Sequence, residues 1–194
     1  MTTMTPDETE VLERAHARLV AAAAEEGILD VAYRLVDTPV GVLLIAGTEQ
    51  GLVRVAYENQ DHEAVLQSLA DRISPRVLLA PRRLDDAARE IDDYFARGRA
   101  SFDLPLDLRL ASGFRREVLT HLREVPYGAT ASYATLAAAA GNPKAVRAVG
   151  TACATNPLPL VIPCHRIVRS DGAMGNYAGG VAAKQALLEL EAAA

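Results

Sequence analysis

Within 194 residues, the segment Ile162-Pro163-Cys164-His165-Arg166-Ile167-Val168 holds the residue types of nucleophilic chemistry. A cysteine at neutral pH is only a few per cent thiolate, so a nucleophilic one needs a neighbouring base or cation. His165 adjoins Cys164, and Arg166 follows. Most free cysteines are instead small buried hydrophobes. Position shifts the balance toward chemistry, because polar groups set after a proline-rigid apolar segment cost free energy unless they have partners or a role. The other cysteine, Cys153, lies in an alanine-rich stretch and reads as packing. A disulfide between the two is disfavoured in the cytosol. With no cysteine before Cys153, the chain builds neither a multi-bridge scaffold nor a thiolate zinc site, and no metal or cofactor is expected.

Several elements must position that segment. Downstream, a glycine-rich loop over 172–180 leads into a helix over 181–191; the loop follows no buried parallel strand and lacks dinucleotide-binding spacing. Upstream, helices are predicted over 113–125 and 132–140, with Ser132 as N-cap. Another starts from Asn142 as N-cap, with Pro143 in its first turn, and runs to about 154. The last two, joined by Ala-Gly-Asn-Pro, form a helix-turn-helix. Ala145, Ala148, Gly150, Ala152 and Ala154 leave little bulk around Arg147, so this helix can approach another surface closely. Residues 158–162 carry Pro159 and are too proline-rich for a central strand.

The first half has a different texture. Apolar runs over 31–36, 40–46 and 52–57, separated by turn residues, read as hairpin-connected strands. Helices are predicted over 62–73 and 84–95, an edge strand over 77–80, and an extended linker or edge segment over 102–110, which contains Pro105. Before them, residues 7–26 place Val11, Leu12, Ala15, Leu19 and Ala22 or Ala23 at helical spacing and end at Gly27, giving an appended arm expected to pack against the sheet. The fold class is therefore α+β: an arm over 1–29, a small N-terminal antiparallel sheet domain with helices over 30–108, then a helical C-terminal domain with a helix-turn-helix over 109–194.

Charge narrows the partners. The chain has a net charge of -5 and is 50% hydrophobic. Residues 1–100 hold 18 acids and 11 bases, whereas residues 101–170 hold 8 bases and 4 acids, a locally basic region able to meet a polyanion. Apolar stretches fall well short of the ~20 residues of a membrane helix, and Asp7, Glu8, Glu10 and Glu13 are unlike a basic leader, so a cytoplasmic protein without a membrane partner is expected. His16, His62 and His121 stand among charged residues and read as surface groups.

Pro163-Cys164-His165-Arg166, Asn156-Pro157, Arg147-Ala148-Val149-Gly150, Val125-Pro126-Tyr127-Gly128 and Ser132-Tyr133 together, in this order and spacing, resemble the O6-alkylguanine-DNA alkyltransferases. The resemblance is close from about 114 to 191 and looser over 31–108, where Thr38-Pro39-Val40-Gly41 and Glu49-Gln50-Gly51-Leu52 carry it. It implies single-turnover repair of double-stranded DNA bearing O6-alkylguanine by a protein that is monomeric without DNA. The lesion is flipped out through the minor groove, and the alkyl group passes permanently to Cys164. His165, through a bound water and a carboxylate matched by Glu191, helps remove the thiol proton. Helical spacing agrees: Lys184, Leu187, Leu188 and Glu191 share one face, and an acid in the last helical turn needs a polar partner.

The resemblance assigns further roles. Arg147 is the finger that fills the place of the flipped base, with Lys144, Ala145 and Ala148 beside it on the DNA-facing surface. Tyr133 crowds the phosphate and donates a hydrogen bond to the departing guanine, and Asn156 is the hinge tying the helix-turn-helix to the cysteine loop. Pro159, Asn176, Tyr177, Ala178 and Lys184 belong to the alkyl pocket. Ala178 stands where several members have a base-recognising serine, and Ala154 and Thr155 stand where some have an arginine and a glycine beside the DNA. Substrate range, O4-alkylthymine included, stays open on these residues. Neither zinc nor methyl-triggered transcription is implied. Competing readings are a cysteine hydrolase, which has no use for Arg147, and a helix-turn-helix regulator or damage sensor without transfer, which has none for Cys164.

Overall fold

The computed structural model describes residues 6–193. A four-stranded sheet runs in the order β3-β2-β1-β4, from β1 (Val31–Val36), β2 (Leu43–Thr48), β3 (Gly51–Tyr57) and β4 (Val77–Leu79). β1, β2 and β3 pair antiparallel, with Tyr33 opposite Ala46 and Leu43 opposite Tyr57. The short edge strand β4 pairs parallel to β1, which makes the sheet mixed rather than purely antiparallel. The chain reaches β4 through helix α2 (His62–Arg72), a crossover of the kind parallel pairing requires. The segment expected to be extended touches the opposite edge through a single bridge between Leu52 and Leu106.

Both faces of the sheet are covered, which is why β2 reads as a continuous apolar run. Leu44, Ala46, Val53 and Ala56 meet Val65 and Leu69 of α2 on one face. Leu43, Ile45, Val55 and Tyr57 meet Ile91 and Tyr94 of α3 (Asp85–Phe95) on the other. That second cluster continues into the C-terminal half through Leu119 and Leu122 of α4 (Phe114–Leu122), Leu158, Cys164 and Leu187. A backbone bond from Val55 N–H to the Pro157 carbonyl, 2.8 Å, joins β3 directly to the loop that leads to Cys164.

The remaining elements are β5 (Ala131–Ser132), α5 (Tyr133–Ala139), α6 (Val146–Ala154), β6 (Ile167–Val168) and α7 (Gly180–Ala192). Ser132 caps α5 as expected, its hydroxyl accepting from Thr135 N–H at 3.0 Å. Helix α6 starts later than predicted. Gly141, at φ +76°, and Asn142 close α5 instead, with Gly141 N–H donating to Ala138 O and Asn142 N–H to Ala137 O. This C-terminal motif uses Asn142, so Pro143 falls in the turn and α6 begins at Val146.

Helix α1 (Pro6–Glu25) also departs from expectation. The arm does lie against the sheet, but of the expected face only Ala23 is buried; Val20 packs on the core instead, and His16 Nε2 lies 2.6 Å from the Leu79 carbonyl of β4. Val11, Leu12 and Leu19 are exposed. His16, His62 and His121 are half-buried rather than open surface groups. No described helix is long and apolar enough to cross a membrane.

Candidate active site

Local backbone chemistry presents Cys164. Pro163, at φ -80° and ψ 60°, forms an inverse γ-turn closed by Cys164 N–H on the Ile162 carbonyl at 2.8 Å. Residues Cys164–Arg166 then form a 3-10 turn and lead into β6. Asn156 fixes the same loop from the end of α6. Its Nδ2 donates to the Ile162 carbonyl at 2.9 Å and to Cys164 Sγ at 3.2 Å, while its Oδ1 accepts from Leu158 N–H at 3.0 Å. Pro159 is buried in this loop.

Cys164 is 3% exposed, and burial pushes its thiol up to about 11 despite the Asn156 hydrogen bond and the Lys184 charge, which act the other way. The sulfur is therefore a protonated thiol at neutral pH and needs a base. The adjacent residue has the chemistry of one. His165 is fully buried, and its Nε2 lies 2.9 Å from Glu191 Oε1. Burial lowers the His165 pKa against the opposing pull of Glu191, so the ring is neutral. With Nε2–H donating to Glu191, Nδ1 holds the lone pair, and Nδ1 is buried without a partner among the described residues.

Glu191 is a buried carboxylate held by convergent donors. It accepts from the Tyr94 hydroxyl at 2.6 Å, from Arg166 Nε at 2.9 Å and Nη2 at 2.8 Å, and from Gly128 N–H at 3.1 Å. Burial alone would raise its pKa, but the bonds from His165, Arg166 and Tyr94 outweigh it and hold it at about 2. The polar partner expected for an acid in the last turn of α7 is thus a histidine, an arginine and a tyrosine. Arg166 balances the charge, so the buried cluster is a paired one, and its Nη1 also donates to the Val125 carbonyl at 2.7 Å.

The glycine-rich loop covers the cysteine from the other side. Tyr177 is buried, its ring 6.1 Å from that of His165. Gly175 has φ +62°, and a Cβ there would approach the Tyr133 hydroxyl at 2.8 Å, so only glycine brings this loop against half-buried Tyr133. Lys184 is fully buried rather than solvated and donates to the Ile167 carbonyl at 2.6 Å and to the Met174 carbonyl, pinning β6 and the loop together. Asn176 is exposed and Ala178 half-buried. On α6 and the turn before it, Lys144, Arg147 and Ala148 are exposed and Ala145 half-buried, and Arg147 makes no ion pair among the described residues.

The structure therefore brings Cys164, His165, Glu191, Asn156, Tyr133, Tyr177 and Lys184 together, and leaves Lys144, Arg147 and Asn176 facing solvent. Sequence reasoning named Arg166 beside Cys164 without giving it a role, and missed Tyr94 and Tyr57. Arg166 carried a signal, since an arginine buried beside a nucleophile must have a partner. The two tyrosines, more than 60 residues upstream, carried none. Cys153 is buried in α6, as read. Among the described residues, no three His, Cys, Asp or Glu side chains converge as a metal site.

Comparison with known proteins identifies the family. Residues 31–108 match the ribonuclease-like domain of 6-O-methylguanine DNA methyltransferases, and residues 113–193 match their DNA-binding domain. A methylated-DNA--protein-cysteine methyltransferase of Mycolicibacterium paratuberculosis is 38% identical over 161 residues, covering 83% of this chain and 92% of that protein. The crystal structure of the Mycobacterium tuberculosis O6-methylguanine methyltransferase superposes with a TM-score of 0.74 at 36% identity, covering 84% of this chain and 93% of the other. The same M. tuberculosis protein in complex with DNA gives 0.74 at 35% identity, with the same coverage. Matched along both halves, with its cysteine loop, histidine and buried carboxylate assembled as described, the chain belongs to the 6-O-methylguanine DNA methyltransferase family.

Proposed function

We propose that this protein repairs double-stranded DNA by moving the alkyl group of O6-alkylguanine onto its own Cys164, once per molecule. The observation that carries this reading is a buried cysteine next in sequence to a buried histidine whose Nε2 lies 2.9 Å from the Glu191 carboxylate. The Cys164 proton passes through an intervening water to His165 Nδ1, and Glu191 stabilises the imidazolium formed. Sγ attacks the alkyl carbon, the bond from that carbon to O6 breaks, and guanine leaves with the electron pair. Tyr133 donates a hydrogen bond to the departing guanine, whose ring nitrogen takes up a proton from solvent, while the thiol proton stays on His165 until it too is released to solvent. The thioether that remains has no route back to thiol.

Reaching O6 requires extrusion of the nucleotide, at roughly a few kcal/mol in lost stacking and pairing. In this reading α6 lies in the minor groove, its small residues Ala145 and Ala148 allow close approach, Lys144 meets phosphate, and Arg147 fills the vacated place. Residues 109–194 bind DNA and carry the acceptor, residues 30–108 brace them, and the protein acts as a monomer in the cytoplasm without a cofactor. Pro159, Asn176, Tyr177, Ala178 and Lys184 shape the alkyl pocket.

Intact mass before and after incubation with a short duplex carrying O6-methylguanine, followed by peptide mapping, tests this directly. The expected result is one methyl increment per protein, on Cys164, at saturation. Lesion binding without an increment would leave a damage sensor. Substrate loss beyond one equivalent would make the protein a turnover catalyst.

A further inference from the structure

A cavity of about 480 Å³ opens between β3, α2 and the C-terminal end of α6, with Asn156 in its wall. Arg54, Arg72 and Arg115 line it with Gln60, Ser68 and Thr155, and no Asp or Glu does. None of the three pairs with a carboxylate among the described residues, although Arg34, Arg76 and Arg109 of neighbouring segments do. Arg72 and Arg115 converge on one acceptor, the Leu110 carbonyl, at 3.4 Å each, and Arg115 also reaches the Thr155 carbonyl at 3.2 Å. Most of their N–H groups stay unpaired, and Arg115 Nε is buried with no partner. Burial, and after it the charge of Arg72, lowers the pKa of half-buried Arg54. Three like charges drawn to one concavity repel unless an anion joins them.

We infer that this cavity is a binding site for a phosphate-type oxyanion held by Arg54, Arg72 and Arg115. Guanidinium forks match the planar oxygen pairs of such an anion, while the Ser68 hydroxyl and the Gln60 amide, whose oxygen is already taken by Tyr57 N–H at 3.0 Å, add donors. The oxyanion has two sources: a backbone phosphate of DNA running past the end of α6, which rests on the DNA-facing reading of that helix, or free phosphate, which does not.

The test uses the full chain, with Arg54→Gln, Arg72→Gln and, as a control outside the cavity, Arg89→Gln. Arg72 is exposed, so its replacement leaves the fold intact even where that of Arg54 does not. Inorganic phosphate is titrated against chloride at constant ionic strength while thermal unfolding is followed. A saturable rise in Tm in the wild type and Arg89→Gln is expected, with its midpoint weakened at least about tenfold in the cavity variants. Affinity for undamaged duplex is then measured against salt. A slope of log K shallower by about one in the cavity variants assigns the oxyanion to DNA, and an unchanged slope assigns it to free phosphate. A phosphate response that is absent from the wild type, together with an unchanged slope, overturns the site, as does one that survives in both variants. Failure of the wild type to bind DNA at all would strike the proposed function and leave the phosphate titration to stand on its own.

Discussion

Tyr57 of β3 and Tyr177 of the glycine-rich loop share a hydrogen bond between their buried hydroxyls, 2.8 Å long, with ring centroids 5.5 Å apart in an edge-to-face arrangement. Asn59 continues the contact by donating to the Ala178 carbonyl at 3.2 Å. Gly179 lies so close that a Cβ there would meet the Tyr57 ring at 2.7 Å. The N-terminal sheet thus holds the loop over Cys164.

Tyr57→Phe is expected to leave one buried hydroxyl unpaired and to lower stability by about 1–3 kcal/mol, with slower alkyl transfer. The double variant Tyr57→Phe/Tyr177→Phe is expected to cost no more than either single change, because neither hydroxyl is left orphaned. Chemical denaturation and single-turnover transfer on the four proteins measure this coupling; strict additivity would remove the pair from its role.

Cys164→Ala is expected to abolish transfer while keeping affinity for the lesion, read by mass and by fluorescence anisotropy. Residual transfer to any other side chain would take Cys164 out of the mechanism.

Arg147→Ala is expected to slow repair in duplex DNA by at least about tenfold, since the flipping cost of a few kcal/mol loses a compensating contact. Dealkylation of the free modified base needs no flipping and should change little. Equal slowing of both reactions would refute a role in extrusion.

Acid should act in two steps with the same sign. The folded pKa of His165 is depressed below its usual 6.5, so the folded state resists protonation and loses stability as pH falls beneath that value. Glu191, held at about 2 against an ordinary 4.5, contributes stability that is present above 4.5 and lost as pH falls toward 2. Transfer should hold steady from pH 7 to 8 and decline only below 6.5, as His165 loses its free lone pair. Thermal melts across pH, repeated on Glu191→Gln, should show the lower step vanish; its persistence would assign it elsewhere.

Much of this was legible along the chain. The strands of the sheet, the cap at Ser132 and the helix bearing Glu191 follow from apolar spacing and local capping chemistry, which operate within a few residues. The cysteine loop was legible because Asn156, Pro163, Cys164, His165 and Arg166 fall within eleven positions. What escaped depends on distance in sequence. The parallel pairing of β4 is set by how α2 crosses over, and the docked face of α1 by what the sheet edge offers to His16, Val20 and Ala23. Tyr57 and Tyr94 reach the site only after the two halves close on one core, and no local pattern marks a tyrosine for that. The start of α6 failed for a different reason: Asn142 suits both the end of one helix and the start of the next, and Gly141 gave it to the first.

A reagent that works only once must not be spent on the wrong target. Cys164 is nearly closed off, and burial holds its thiol protonated at pH 7 in the absence of a lesion. Peroxide and soluble electrophiles attack thiolates that they can reach, so burial and protonation both act to shield the resting sulfur. The burial that makes His165 necessary for repair also keeps each molecule in reserve until the DNA itself opens the way to the sulfur.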